Sequence, residues 1–226
     1  MTYNKEFLSE LVKNKKLAIA DKKKDSIVKT CGFSVVSTSD ETKSYKTAGI
    51  GDTIYPVINT TNYLDSHDDV HSKTIWNKST KEQSGKTFFI TDHNMSFDNV
   101  ISYPGDVEIM LQEIEWRKLG LDVDGVTNAL IFKTELKEYA NKSYLSALKA
   151  GLPIEHSIRM RYIDLELCVN SDEYEEEYKA WQAYISEVAN KELAYEKGYF
   201  YYIKEAAIAM EGSAVLRGSN SITPTL

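Results

Sequence analysis

The chain has 226 residues, of which 42% are hydrophobic and 11% aromatic, and its 27 Lys and Arg against 34 Asp and Glu give a formal net charge of −7. This size and composition predict one folded domain of ordinary size and exclude a largely disordered chain. The acidic balance is the opposite of the basic surface that a general nucleic-acid-binding protein needs, so no specific nucleic acid partner is expected.

The sequence lacks the marks of a secreted or membrane protein. Its two cysteines, Cys31 and Cys168, are too few for a disulfide framework and lack the spaced ligand pairs of a zinc site. No stretch approaches the roughly 18 to 20 apolar residues that span a bilayer, and the charged N-terminus does not resemble a signal peptide. We therefore expect a soluble, unsecreted protein with no membrane partner.

The first part of the chain predicts a helix followed by strands. Apolar residues share one face of a helix over residues 4–20, and the run DKKKD then ends this pattern. We interpret residues 1–29 as an amphipathic helix with a charged linker, and residues 30–226 as a single domain. The segments GFSVVSTSD, TIYPVINTTNYL and KTFFITDHN are rich in β-branched and aromatic residues, which favours strands.

The rest of the chain predicts further helices and strands. Apolar offsets of 0, 3, 4 and 7 predict a helix over residues 106–119, with Gly120 as its C-terminal cap. The remaining predicted elements are a strand at 128–133, a helix at 135–151, a long strand at 157–169 with a bulge near Ile163, a helix at 172–197 and a closing strand. This order predicts an α+β fold in which helices surround a curved antiparallel sheet or a β-barrel core.

Two predicted strand ends carry residues suited to acyl transfer. His93, one of only four histidines, ends the strand KTFFITDHN, and Ser157 opens the later strand after the turn GLPIEH. A serine hydroxyl is a weak nucleophile until a neighbouring imidazole accepts its proton, so this pair is the minimum for hydrolysis by serine. His156 adjoins Ser157, but neighbouring strand residues point to opposite faces, so we expect His156 to be a partly exposed turn residue.

The run DSHDDVH offers an alternative site. It contains side chains that can ligate a metal, with two histidines four residues apart: Asp65, His67, Asp68, Asp69 and His71. A metal-dependent hydrolase centred on His67 and His71 is therefore a competing hypothesis. The surrounding residues do not predict a helix, and Asp and Ser are common in solvated turns, so the run is interpreted as a loop and no metal is expected.

Three segments together resemble the prohead proteases of HK97-type tailed phages. They are TNYLDSHDDVHSKTIW with FFITDHN, KAGLPIEHSIRMRY, and AAIAMEGSAVLRGSNSITPT, whose pattern is Glu, any residue, then Ser. The resemblance spans roughly residues 31–226. It implies the fold of the related herpesvirus assemblin proteases, a β-barrel-like core with helices around it. It also implies Ser157 as nucleophile, His93 as general base and Glu211 as the acid that orients it, although residue type alone fits Glu211 equally well as a residue at the sheet margin.

The resemblance further implies a serine endopeptidase of virion assembly. Such enzymes cleave scaffold and capsid-protein segments, and often themselves, inside the procapsid in the host cytoplasm, without a cofactor. The major capsid protein and the scaffold protein are then the substrates, and self-association is compatible with the family. The backbone amide of Ile158 and the guanidinium groups of Arg159 and Arg161 are candidate oxyanion donors. Asp164 and Glu166 are alternative acids. The competing non-enzymatic hypothesis is a catalytically inactive capsid-assembly or scaffolding protein with the same fold.

Overall fold

The structure, a computed structural model, describes residues 5–24, 47–218 and 222. The helices within these residues are α1 (Lys5–Lys13), α2 (Lys15–Lys24), α3 (Asn77–Gln83), α4 (Lys142–Lys149), α5 (Glu175–Tyr184) and α6 (Lys191–Lys197). The strands are β1 (Thr53–Ile54), β2 (Val57–Asn59), β3 (Asp69–His71), β4 (Phe88–Thr91), β5 (Val100–Ser102), β6 (Glu108–Glu115), β7 (Val126–Glu135), β8 (Glu155–Val169) and β9 (Tyr199–Val215). None of the helices in the described ranges has the length and apolar character needed to cross a membrane.

The strands form two sheets, which confirms the predicted α+β class. The first sheet is antiparallel and places β1, β2 and β6 beside β7. In the second sheet β8 pairs antiparallel along one edge of β9, while β3 and β4 pair in parallel with successive stretches of the other edge, and β5 adds to β4. The expected antiparallel pairing therefore holds for the first sheet but not for the second, which is mixed, and the expected barrel is wrong because the two sheets remain separate.

The main core lies where the two sheets pack together. Ile58 of β2 and Phe132 of β7 meet Phe89 of β4 and Ile158 of β8, and all four side chains are buried. Gly212 of β9 lies so close to the first sheet that a Cβ atom there would stand 2.7 Å from Phe132 Cε2. Because Gly212 has no side chain, β9 can lie close to the first sheet at this position.

The helix predicted over residues 106–119 is wrong. Residues 108–115 form β6, which pairs with β7 over its whole length, and only Trp116–Leu119 make a short 3₁₀ turn that ends at Gly120. Gly120 has a φ of 89°, so its predicted capping role is confirmed for this turn. The helical spacing of apolar residues is misleading here. Eight consecutive residue pairs join β6 to β7, and this pairing provides hydrogen-bond partners for the backbone of both strands.

The long helix predicted over residues 172–197 is also wrong, because it is interrupted between α5 and α6. The Asn190 side chain accepts a hydrogen bond from the backbone amide of Leu64 at 2.8 Å and donates one to its carbonyl at 3.0 Å. The amide of Ala189 donates to the carbonyl of Asn62 at 2.8 Å. Backbone bonds to a distant loop therefore replace the intrahelical bonds that a continuous helix would need.

Three other helix and strand boundaries differ from the prediction. The predicted charged linker is helical as far as Lys24, with a break at Asn14 between α1 and α2. The helix predicted from residue 135 starts only at Lys142, because the Asn141 side chain caps it by accepting from the Tyr144 amide at 2.8 Å. The predicted strand TIYPVINTTNYL forms only the short β1 and β2, which Pro56 separates.

The strands that carry the predicted site residues agree with the sequence analysis. β4, β7, β8 and β9 lie where strands are predicted, and register shifts on both sides of Asp164 confirm the bulge near Ile163. The predicted strand GFSVVSTSD and Cys31 lie outside the described residues. Cys168 is buried with a free thiol.

Candidate active site

Three strands bring the predicted catalytic segments together on β9. Ser157 of β8 lies directly opposite Ser213 of β9, and Ile90 of β4 pairs with Ser213 from the other edge. The chain leaves β4 at Thr91, so His93 follows two residues later at the same end of the sheet. The site is therefore built across β9, with β4 and β8 as its two flanks.

A tight turn after β4 returns His93 towards β9. Asp92 and His93 have φ angles of 56° and 53°, in the left-handed region that side chains rarely adopt. Two hydrogen bonds hold this turn: the Asp92 amide donates to the Ala214 carbonyl at 3.0 Å, and the His93 amide donates to Ser213 Oγ at 3.0 Å. Strained backbone that is fixed by specific bonds is a common feature of functional sites.

His93 and Glu211 form a close pair. His93 Nδ1 lies 2.7 Å from Glu211 Oε1, and the Glu211 side chain is fully buried. A carboxylate oxygen accepts hydrogen bonds, so Nδ1 is the donor in this pair and Nε2 is the ring nitrogen left to accept a proton. This Nε2 is buried and has no hydrogen-bond partner among the described residues. The pair thus has the tautomer and orientation of a general base.

Ser213 supports both members of this pair. Its hydroxyl donates to Glu211 Oε2 at 2.9 Å and accepts from the His93 amide, so one side chain fixes the carboxylate and the turn together. Ser213 is fully buried. The sequence analysis did not include Ser213 among the site residues, although its position two residues after Glu211, on the same face of β9, was the signal that could have identified it.

Ser157 shares this face of the sheet. Side chains directly opposite in an antiparallel pair have Cβ atoms about 4.5–5.5 Å apart, so Ser157 adjoins Ser213. Ser157 is only 5% exposed, and no hydrogen bond joins its hydroxyl to His93 Nε2. His156 lies on the opposite face with its ring 5.9 Å from that of Phe89 in the core, so the expectation of a partly exposed turn residue there is wrong.

A bulge in β9 contains Glu211. Ile158 pairs with Gly212, but two residues further along β8 the partner is Ile208, so three residues of β9 face the single residue Arg159. Met210 within this bulge has a φ of 76° and is 62% exposed. Bulges next to active sites re-aim side chains. Here the bulge turns Met210 out to solvent and leaves Glu211 in line with Ser213.

The bulge also distinguishes the candidate oxyanion donors. Ile158 is buried and pairs with Gly212, which places its backbone in the sheet beside Ser157. Arg159 is half-buried opposite the bulge and makes no ion pair within the described part of the chain, whereas Arg161 is exposed and pairs with Ala207. Of the two guanidinium groups, that of Arg159 lies nearer to Ser157 along β8.

The alternative acids lie elsewhere on β8. Asp164 is opposite Glu205, and Glu166 is opposite Tyr202 and pairs with Lys204 at 2.5 Å. Glu205 precedes Glu211 by six residues, which is about 20 Å along a strand. The structure therefore does not bring Asp164 or Glu166 to His93.

The structure brings together three of the residues of the alternative metal site. Ligand atoms of Asp65, Asp69 and His71 lie within 4.8 Å of one another, and all three residues are buried. However, the Trp76 indole donates to Asn59 Oδ1 at 2.9 Å, so the other end of that amide must donate to His71 Nδ1 at 3.0 Å. His71 Nε2 therefore carries the proton and has no lone pair for a metal.

Burial shifts the pKa of two residues of this cluster. Burial together with the nearby charge of Asp69 raises the pKa of Asp65 to about 8. Burial lowers the pKa of His71 to about 4. Asp69 Oδ1 is 2.6 Å from Lys22 Nζ, and Asp69 Oδ2 accepts from the Tyr162 hydroxyl at 2.6 Å. The cluster therefore already has a cationic partner, the ammonium group of Lys22.

Comparison of the chain with protein-family models, with curated protein sequences and with solved structures finds no match.

Proposed function

We propose that this chain is a serine endopeptidase in which Ser157 is the nucleophile, His93 the general base and Glu211 the acid that orients it. The observation that carries the proposal is the His93–Glu211 pair, with Nδ1 2.7 Å from a buried carboxylate and Nε2 left unpaired within the described residues. Ser157 lies on the same face of the sheet, opposite the serine that holds this pair. These are the parts of a nucleophile, base and acid arrangement.

Each side chain has a definite role in the proposed reaction. Ser157 Oγ attacks a peptide carbonyl while His93 Nε2 accepts its proton, and the imidazolium then returns the proton to the leaving amine. Buried Glu211 stabilises the imidazolium through Nδ1. The negative charge on the tetrahedral intermediate needs a donor, for which the Ile158 amide and the Arg159 guanidinium are the candidates.

The substrate class is proposed from the resemblance to prohead proteases. On that basis the substrates are the scaffold protein and segments of the major capsid protein, cleaved within a procapsid in the host cytoplasm, and the chain also cuts itself. No cofactor takes part in this scheme. Extended substrate segments suit the proposal because they can add to the edge of a sheet.

Intact mass spectrometry after co-expression with the capsid and scaffold proteins of the same genome tests the proposal. We expect defined fragments with the wild-type chain and none with Ser157→Ala, because triad members act as a unit and their loss costs roughly four to six orders of magnitude in rate. Ser143→Ala, which alters an exposed serine of α4, is the matched control and should cut like the wild type. Fragments that persist in Ser157→Ala would overturn the assignment of the nucleophile.

A fluorophosphonate probe tests the site without knowledge of the substrate. Such probes phosphonylate a serine only when a base activates it, so the wild-type chain should be labelled at Ser157 and the His93→Ala variant should not. Labelling spread over several exposed serines would contradict the proposal.

One observation favours the second candidate, an inactive assembly protein with this fold. The Ser157 hydroxyl makes no hydrogen bond to His93 and is almost buried. Under this alternative, neither the wild-type chain nor Ser157→Ala cuts the capsid or scaffold protein, and both support the same yield of assembled particles.

A further inference from the structure

The helices α1 and α2, here called the helical arm, dock on the rest of the protein. Leu8 is buried in the main core, and Ala18 and Ile19 pack against it. The arm also carries basic side chains that meet acidic partners. Lys5 pairs with Glu173 at 3.3 Å in an exposed position, where such a pair contributes little stability. Lys22 is different, because its partner is buried.

Lys22 enters a pocket that contacts its ammonium group on several sides. Nζ donates to Asp69 Oδ1 at 2.6 Å and to the His67 carbonyl at 2.9 Å. It also lies 4.4 Å from the centre of the Tyr201 ring and 5.9 Å from that of Tyr162. A carboxylate, a carbonyl and aromatic faces are the groups that recognise a primary ammonium ion. We call these four residues the lysine pocket.

The lysine pocket is preorganised around Asp69. The Asp69 side chain is fully buried and its second oxygen accepts from the Tyr162 hydroxyl at 2.6 Å. The Asp69 amide donates to Asp65 Oδ1 at 3.1 Å, which fixes the backbone. A buried carboxylate is costly unless a cation pairs with it, so an ammonium group in the pocket stabilises the folded protein.

We propose that the lysine pocket is a binding site for a primary alkylammonium group, that Lys22 is its ligand within the chain, and that occupancy of the pocket by Lys22 holds the helical arm in place. The lysine side chain of a second polypeptide presents the same ammonium on the same alkyl stem. Such a lysine competes with Lys22 and releases the α2 end of the arm. Two residues of the lysine pocket, His67 and Tyr162, line the same small cavity as Ser157, but the proposal does not depend on peptidase activity.

Chemical rescue tests whether the pocket binds an ammonium group. Lys22→Ala removes a fragment of the size of n-propylammonium and leaves Asp69 unpaired, so we expect the melting temperature to fall by about 10 °C. Added n-propylammonium chloride should recover a large part of this loss. Tetramethylammonium chloride at equal concentration should not, because it has the charge without N–H donors.

Lys23→Ala is the matched control, since Lys23 is the exposed neighbour on α2. It should melt like the wild type and gain nothing from n-propylammonium. Equal effects of both salts on Lys22→Ala, or a melting temperature of Lys22→Ala equal to that of Lys23→Ala, would overturn the proposal.

A second measurement uses the intact wild-type chain. Brief treatment with an acetylating reagent, followed by peptide mass spectrometry, should modify Lys22 at least tenfold more slowly than Lys23, because its amine is ion-paired and partly enclosed. In Asp69→Asn the rate at Lys22 should rise towards that of Lys23. Equal rates at Lys22 and Lys23 in the wild type would contradict the occupied pocket, whether or not the Lys22→Ala variant folds.

Discussion

His93 and Glu211 lie 118 positions apart in the sequence, yet their side chains meet at 2.7 Å. The parallel pairing of β4 with β9 produces this contact, because it sets Phe88 opposite Glu211 and brings the following turn back over the same strand. The contact therefore depends on the register between β4 and β9. Substitutions of the pair itself and substitutions that disturb the packing of β9 should have different effects on activity and stability.

Replacing the acid tests its electrostatic role. We expect Glu211→Gln to lower the peptidase rate by roughly three to four orders of magnitude, because an amide neither stabilises the imidazolium nor enforces the tautomer. The measurement is kcat on a substrate peptide taken from the cleavage sites mapped with the wild-type chain. Glu138→Gln, an exposed change of the same kind, should leave kcat unchanged. A Glu211→Gln enzyme with normal kcat would show that another group orients His93.

Ser213→Ala tests the hydroxyl that supports the pair. The change leaves the partly buried His93 amide without its acceptor and removes a donor from Glu211, so we expect a loss of about 1–3 kcal/mol in the free energy of unfolding. Urea denaturation measures this loss. Because Ser213 contacts both His93 and Glu211, the proposed base and acid, kcat should fall while KM changes little. Unchanged stability would mean that the hydroxyl has no part in holding the turn.

Gly212→Ala tests the close approach of the two sheets. The added Cβ would lie 2.7 Å from Phe132 and 3.1 Å from Ile58, so we expect a destabilisation of about 1–3 kcal/mol. Gly49→Ala is the control, since its Cβ would meet only Asp52 Oδ2, at an ordinary 3.9 Å. Thermal unfolding of both variants gives the comparison. Equal melting temperatures would show that the sheets separate at no cost.

The stability of the protein should depend on pH through His71. Burial lowers the pKa of this imidazole to about 4, below the 6.5 of an exposed histidine. The unfolded chain therefore binds a proton where the folded chain does not, and the stability present above pH 6.5 is lost as the pH falls towards 4. Relative to His71→Gln, the wild type should lose about 3 kcal/mol over this range. Urea denaturation at pH 7 and at pH 4.5 checks this, and a pH-independent difference would contradict it.

The sequence predicted the strands of the site because each strand combines β-branched and aromatic residues with clear boundaries. It misplaced β6, whose Ile109 and Ile114 are buried in the sheet, because apolar residues at a helical spacing also occur on strands when both faces are partly covered. It missed the interruption after α5 for a related reason. The Asn190 bonds to Leu64 join residues 126 positions apart, and no local pattern reports such a contact.

The site itself was predicted unevenly. His93 and Ser157 were candidates from strand ends, chemistry and the family resemblance, and the structure brings their segments together at Ser213. The role of Ser213 depends on which strand faces which, and the partner of Lys22 depends on how the arm docks. Both are contacts between residues that are far apart in the chain, and the local spacing of residues in one sequence does not reveal them.

The position of β9 has a consequence for synthesis of the protein on the ribosome. β3, β4 and β8 all precede β9 in the chain and all pair with it, so β3 has no β9 partner before residues 201–203 are made, and β4 has none before residues 211–214 are made. A nascent chain that ends earlier exposes unpaired strand edges, which favours aggregation and recruits chaperones. It also lacks Glu211 and Ser213. A shorter nascent chain therefore cannot assemble the His93–Glu211 pair, and this delay protects the unfinished polypeptide from any activity of its own.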